Sequence, residues 1–130
     1  LTRGESNFNP GNIRKVPGAT WEGQSDTQTD PDFVQFTDVK WGIRAIAKIL
    51  LSYEREGIDT IRNAIARWAP STENDTSAYV NDVCQRCSIG PDDVVQFSAM
   101  MLPLVSAIIV HENGSNPYND AQVNQGILLA

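Results

Sequence analysis

Two carboxylates stand out for where the chain places them. Glu112 follows Val105, Ile108 and Ile109 along one helical stripe and so continues an apolar face. A carboxylate there gives up part of its hydration, which favours the neutral form. The C-terminal end of a helix, where the backbone dipole disfavours negative charge, pushes the same way. A neutral carboxylic acid near neutral pH is what a general acid requires. The bland alternative is a side chain that reaches solvent beside Asn113-Gly114. Glu5 lies in RGESNFNPGNIR (Arg3 to Arg14), a run of turn formers carrying a hydroxyl and three amides. By itself it reads as a solvated carboxylate near the N-terminus. A distant echo links the two: ENGSNPYN, from Glu112, repeats Glu, Asn, Pro and Asn of ESNFNPGN, from Glu5, at four of eight offsets. Chain ends often lie close together. If these meet, Glu5 and Glu112 form a paired-carboxylate site, and glycoside hydrolysis is the chemistry that most commonly uses one.

The remaining polar groups suit a sugar ligand. Asn7, Asn9, Asn12, Asn74 and Asn113 have amides able to hydrogen-bond hydroxyl and acetamido groups, although each is individually a good turn former. Trp21, Tyr79 and Tyr118 are candidate stacking faces, whereas Trp68 ends an apolar stripe and is expected to pack in the core. Other chemistries lack residues. Cys84 and Cys87 form a lone C-x-x-C, and with one histidine, His111, the usual four ligands of a structural zinc site are not met. The two thiols are expected to be one buried and one half-buried on a helix. A phosphate loop is absent from the sequence, and no cofactor is expected.

Composition narrows the partners. The 130 residues suit one domain, 41% apolar and 20% charged, with a net charge of -6. No Lys or Arg follows Arg86, so the last third is acidic and apolar. A nucleic-acid partner calls for a basic stripe and is not expected; a neutral polymer such as a glycan fits better. The longest apolar run, Met100 to Val110, is shorter than the ~20 residues of a membrane span and is interrupted by Pro103. No signal peptide is visible, and a start at Leu1 leaves an upstream trimmed leader open.

The elements that must position these groups follow from periodicity. Residues 1–37, rich in Gly, Pro, Asn, Asp and Thr, predict a small irregular sheet from Asn12–Val16, Thr20–Gln24 and Phe33–Phe36. From Val39 the pattern turns helical, with Ile43, Ile46, Ala47, Leu50 and Tyr53 on one stripe and Gly57 ending it. Ile58, Ile61, Ile65 and Trp68 make a second stripe up to Pro70. The loop Ser71-Thr72-Glu73-Asn74-Asp75-Thr76 is rich in helix caps. A third helix carries Tyr79, Val80, Val83, Cys84 and Cys87. A short helix is expected after Gly90-Pro91-Asp92-Asp93, then a central one from Ser98 to about Asn113, and a last one capped by Asn119-Asp120 and ending near Leu129. The expected class is α+β: a β/loop lobe over 1–37 and a helical lobe over 38–130.

These motifs resemble a family. RGESNFNPGNIR, Trp21-Glu22-Gly23, DPDFVQFTDVKWGIRAIAKIL, RWAPSTENDTSAYV and IIVHENGSNPY are similar to small bacteriophage proteins of virions or lysis, members of the lysozyme-like, peptidoglycan-cleaving superfamily. The resemblance runs from Arg3 to Tyr118. ESNFNP is similar to the catalytic Glu-Ser motif of lytic transglycosylases, in which the Glu ends a helix. NPGNIR, the W-x-G, Phe33/Phe36 and GIRA are similar to the middle of bacterial glucosaminidases, where this region follows a helix ending in the catalytic Glu. The helix here of that kind ends IIVHENG, which implies a circular permutation, with Glu112 as the acid and residues 4–14 continuing the site wall. Tyr79 resembles the active-site tyrosine of those enzymes. The resemblance implies a single lysozyme-like domain that cleaves peptidoglycan strands from the virion, or in the host periplasm or cell wall, with Glu112 ahead of Glu5 as the acid. The rival from another class is a non-catalytic virion component that binds peptidoglycan or other virion proteins on the same fold.

Overall fold

A computed structural model of the protein describes residues 1–72 and 74–130. Among these, six α-helices and one 3-10 turn follow one another, and strand pairing is reduced to two isolated antiparallel bridges. The structure is mostly helical. α1 is a single turn, Arg3–Ser6, capped by Thr2, whose hydroxyl accepts from the Glu5 N–H. α2 runs Val39–Arg55 from an Asp38 cap, and Ile43, Ile46, Ala47, Leu50 and Tyr53 are all buried, as their spacing predicts. α3 (Ile61–Trp68) starts after the cap Thr60, so Ile58 falls ahead of it. α4 (Thr76–Cys87) is capped by Asp75; of the cap-rich loop before it, Glu73 lies outside the described residues. Cys84 and Cys87 on α4 are free, one buried and one half-buried, as expected.

α5 spans Met101–Asn113 and α6 spans Asp120–Leu128, the latter opened by a capping box between Asn119 and Gln122. The short helix expected after Asp93 is replaced by a turn, in which the Gly90 N–H donates to Asp93, and by the 3-10 turn Phe97–Ala99. The central helix therefore begins at Met101 rather than Ser98, with Pro103 in its first turn, where a missing N–H costs no helical bond. Met101, Leu104, Val105, Ala107, Ile108 and Ile109 bury α5 on more than one side, against α4 and α6. α2 packs on α6; a Cβ at Gly126 would stand 2.5 Å from Ile43, so glycine permits that approach.

The expected N-terminal sheet does not form among the described residues. Its register is present: Lys15 N–H donates to Asp32 C=O, Val34 N–H to Ile13 C=O, and Ser25 N–H to Gln35 C=O, at 2.9–3.0 Å. Side-chain amides take the intervening positions. Asn9, fully buried, donates to the carbonyls of Ile13 and Val34 and accepts from the Ile13 N–H. The Gln28 amide donates to the Ser25 and Gln35 carbonyls and accepts from the Gln35 N–H. Asn and Gln offer the backbone the same partners a neighbouring strand offers, so turns replace the ladder. This segment seats on α2 at Gly42, where a Cβ would stand 2.0 Å from the Phe8 carbonyl oxygen. No helix among the described residues is long and apolar enough to cross a membrane.

Asp30 knots the segment together. Its carboxylate accepts two bonds from Arg3 (2.6 and 2.7 Å), one from Asn7, and the backbone N–H groups of Asp32 and Phe33, with the side chain only 8% exposed. The Arg3 hydrogen bonds above all hold the Asp30 carboxyl far below the usual carboxylate range. A group depressed in this way adds stability above its unfolded value, about 3.9, and loses it as pH falls toward the folded value. Asp30→Asn should therefore melt several degrees lower than the parent at pH 7, and the gap should narrow below about pH 4. Thermal unfolding followed by circular dichroism across pH 2–7 checks both.

Candidate active site

The N-terminal segment meets the end of α5. Asn12 donates to Glu112 Oε1 at 2.9 Å. Asn113 donates to the Pro10 carbonyl (2.8 Å) and to Ile109 C=O one turn back (2.9 Å), and its Oδ1 lies 2.7 Å from the Thr2 hydroxyl. Asn12 reaches Glu112 from a left-handed backbone conformation (φ 48°), which asparagine tolerates better than most residues. At Gly4 a Cβ would stand 2.6 Å from Asn113 Oδ1, so the first turn lies hard against this junction.

Helix α4 supplies the other side of Glu112. The Tyr79 hydroxyl donates to Glu112 Oε2 at 2.7 Å and accepts from the Trp68 indole N–H at 3.1 Å. Tyr79 is 2% exposed. Burial, reinforced by the adjacent Glu112, raises its phenol well above the ordinary value, so it stays a protonated donor. The His111 ring lies against the Tyr79 ring, centroids 3.8 Å apart, and its Nδ1 is 2.8 Å from Asp82. Against the upward push of partial burial, hydrogen bonds from His111 and Arg86 hold the Asp82 carboxyl below its usual range. Each Glu112 oxygen thus carries one donor and keeps one lone-pair position.

Glu112 lines a cleft of about 620 Å³. Trp21, Phe33, Tyr53 and Trp68 give it aromatic surfaces, and Asn12, Arg14 and Asn74 give it hydrogen-bonding groups. The Arg14 guanidinium lies over the Phe33 ring at 5.1 Å. Glu112 is the one acidic side chain among the described residues of the lining. A half-buried carboxylate beside flat apolar faces and amides is a group able to transfer a proton to a ligand held there.

The structure sorts the candidate residues. Glu112, Asn12, Trp21 and Asn74 line the cleft. Glu5 does not; it lies within α1, its carboxylate 3.0 Å from the Thr2 hydroxyl. That hydroxyl has one proton to share between Glu5 and Asn113. Asn9 is fully buried and spent on backbone, and Asn113 is spent on Pro10 and Ile109, so both act as struts rather than ligand contacts. Tyr79 offers no stacking face because it is buried under His111; its contact is with Glu112 itself. Tyr118 lies outside the lining, half-buried, with its hydroxyl raised by burial and by Glu5. Trp68 was expected in the core alone, yet it also lines the cleft. Its position at the very end of a helix, just before Pro70, is the signal that could have shown this.

No family model matches the chain. Over 127 residues it is 41% identical to protein P5 of Pseudoalteromonas phage PM2, an alignment covering 95% of this chain and 79% of the phage protein. The chain belongs to the protein P5 family. The bacteriophage character implied by the sequence motifs therefore holds through this P5 relative.

The state of Tyr79 is open to direct measurement. Of the three tyrosines, Tyr79 is held protonated most strongly. Tyr79→Phe should leave the tyrosinate absorbance titration near 295 nm unchanged up to the pH at which the protein unfolds. Loss of a titrating phenol below that pH would show Tyr79 to be accessible.

Proposed function

We propose that this protein cleaves the β-1,4 bond between peptidoglycan sugars, with Glu112 as general acid. The observation that carries the reading is the Glu112 carboxylate, fixed through both oxygens by Asn12 and Tyr79 on the lining of an aromatic cleft. Sugar rings stack on flat apolar faces, and amides bond their hydroxyl and acetamido groups, so Trp21, Asn12 and Asn74 are placed to hold a glycan. In the reaction Glu112 gives its proton to the glycosidic oxygen as the bond to the anomeric carbon breaks. The resulting carboxylate takes a proton from the oxygen that attacks that carbon, either water or the sugar's own 6-hydroxyl.

The reading extends to the fold. We take the chain as one lysozyme-like domain in circularly permuted order, in which the acid ends a late helix and the opening segment completes the wall. The hydrogen bonds between residues 10–12 and the end of α5 support it. The phage relative fits association with a virion, and action on the host cell wall, from the virion or in the periplasm, is part of this reading. Glu5 is assigned no proton transfer, because it lies outside the cleft lining.

Turbidity clearing of purified peptidoglycan and mass spectrometry of released muropeptides test this. Glu112→Gln should lower the rate by at least about 100-fold, the usual contribution of a general acid, while Glu5→Gln keeps most of it. Products lighter by one water mark attack by the 6-hydroxyl. Muropeptide release at the parental rate by Glu112→Gln would overturn the proposal; so would no release by the parent.

A further inference from the structure

We infer that Trp68 is a positioning residue of this site: its indole N–H fixes the Tyr79 hydroxyl as a donor to Glu112. A phenol oxygen has one proton and can both donate and accept, so left alone it can donate to an ionised Glu112 or accept from a protonated one. An indole N–H can only donate. With Trp68 Nε1 at 3.1 Å occupying the acceptor side of the Tyr79 oxygen, the hydroxyl proton is left to the carboxylate at 2.7 Å. Burial and the neighbouring carboxylate keep that phenol from ionising, so the relay runs one way, Trp68 to Tyr79 to Glu112.

The opposite partner behaves differently. Asn12 presents Nδ2 to Glu112, and its Oδ1 is buried with no partner among the described residues. Turning that amide over would present a carbonyl to a protonated Glu112, so Asn12 suits either state of the acid. Tyr79, with Trp68 on its oxygen, suits the carboxylate. The geometry therefore gives Glu112 one adaptable partner and one fixed partner, and Trp68 does the fixing. Trp68 ends α3 and also lines the cleft, where its Cζ2 lies 3.2 Å from the place a Gly11 Cβ would occupy. One indole thus connects the glycan surface to the buried tyrosine behind the acid.

The inference rests on Glu112 acting as the acid, and a double-mutant cycle separates the two. Trp68→Phe keeps the aromatic packing and removes the N–H. Tyr79→Phe should lower kcat about 10- to 100-fold, as loss of a hydrogen bond to a charged group does, and Trp68→Phe about tenfold. In the Tyr79→Phe background, Trp68→Phe should then have little further effect on kcat, because its route to Glu112 is already cut. Tyr79→Phe removes a donor from the carboxylate, and Trp68→Phe frees the Tyr79 oxygen to accept from a protonated Glu112, so both single variants should shift the alkaline limb of the pH–rate profile to higher pH. Independently of activity, the Trp68 indole N–H resonance should move and lose hydrogen-exchange protection in Tyr79→Phe. Equal kcat losses for Trp68→Phe in both backgrounds, with an unmoved pH limb, make Trp68 an ordinary packing or stacking residue and overturn the inference alone. An inactive parent overturns the proposed function and this inference with it. Parental melting curves for the variants establish that folding is intact.

Discussion

The geometry of the cleft depends on one junction, where residues 10–12 hydrogen-bond to residues 112 and 113 across about a hundred residues of chain. Closing so long a loop carries an entropy cost that two or three hydrogen bonds, each worth about 1 kcal/mol net, do not offset. The helices must bring the ends together first. α2 does most of this, because it holds the N-terminal segment at Gly42 and α6 at Ile43, while α5 packs under both α4 and α6. The hydrogen bonds then select one register within an approach that apolar burial has already made. This explains why small residues sit where backbone meets backbone, at Gly42 and Gly126, and why neither tolerates a Cβ in place.

The N-terminal segment shows how a wall can be built without strands. Asn9, Gln28, Gln35 and Asp30 accept and donate in the places where a sheet would set neighbouring backbone. Such a segment is fixed by short-range polar bonds, so its shape can depart from the pleat. Asn12 uses that freedom, turning left-handed to aim its amide at Glu112. A regular strand at residues 12–16 keeps every residue extended and points alternate side chains to opposite faces, which denies Asn12 this direction.

Much of the helical part was legible because burial on one side of a helix leaves a period in the sequence. Ile43 through Tyr53 and the Tyr79–Cys84 stripe needed nothing more. The sheet was misread because its pairing register is real while its ladder is taken over by side chains; composition registers the turn formers but not which amide replaces which strand. Glu112 was legible as a carboxylate continuing an apolar face. Its partners were not. Tyr79 reads the same whether its ring faces a sugar or its hydroxyl faces a carboxylate, since both place an aromatic on a helical stripe. Asn9, Asn12, Asn74 and Asn113 look alike in sequence, and only their burial and partners separate the strut Asn9 from the cleft residues Asn12 and Asn74.

Consecutive residues on α5 engage one tyrosine in two ways. His111 covers the ring and Glu112 takes the hydroxyl. Successive helical residues point about 100° apart, so a single side chain meets both only if it crosses the helix at that step. Tyr79 does so because α4 packs alongside α5, and Asp82, one turn further along α4, secures His111 from behind. The ring plane is set by His111 and the hydroxyl direction by Trp68 and Glu112, leaving Tyr79 no free rotation about either. A carboxylate at a helix end is ordinarily among the more mobile groups of a protein. Here a buried phenol from one element and an amide from the far end of the chain hold it in place. Such holding is what proton transfer to a bound ligand requires, because a displacement of about 1 Å can cost about 100-fold in rate.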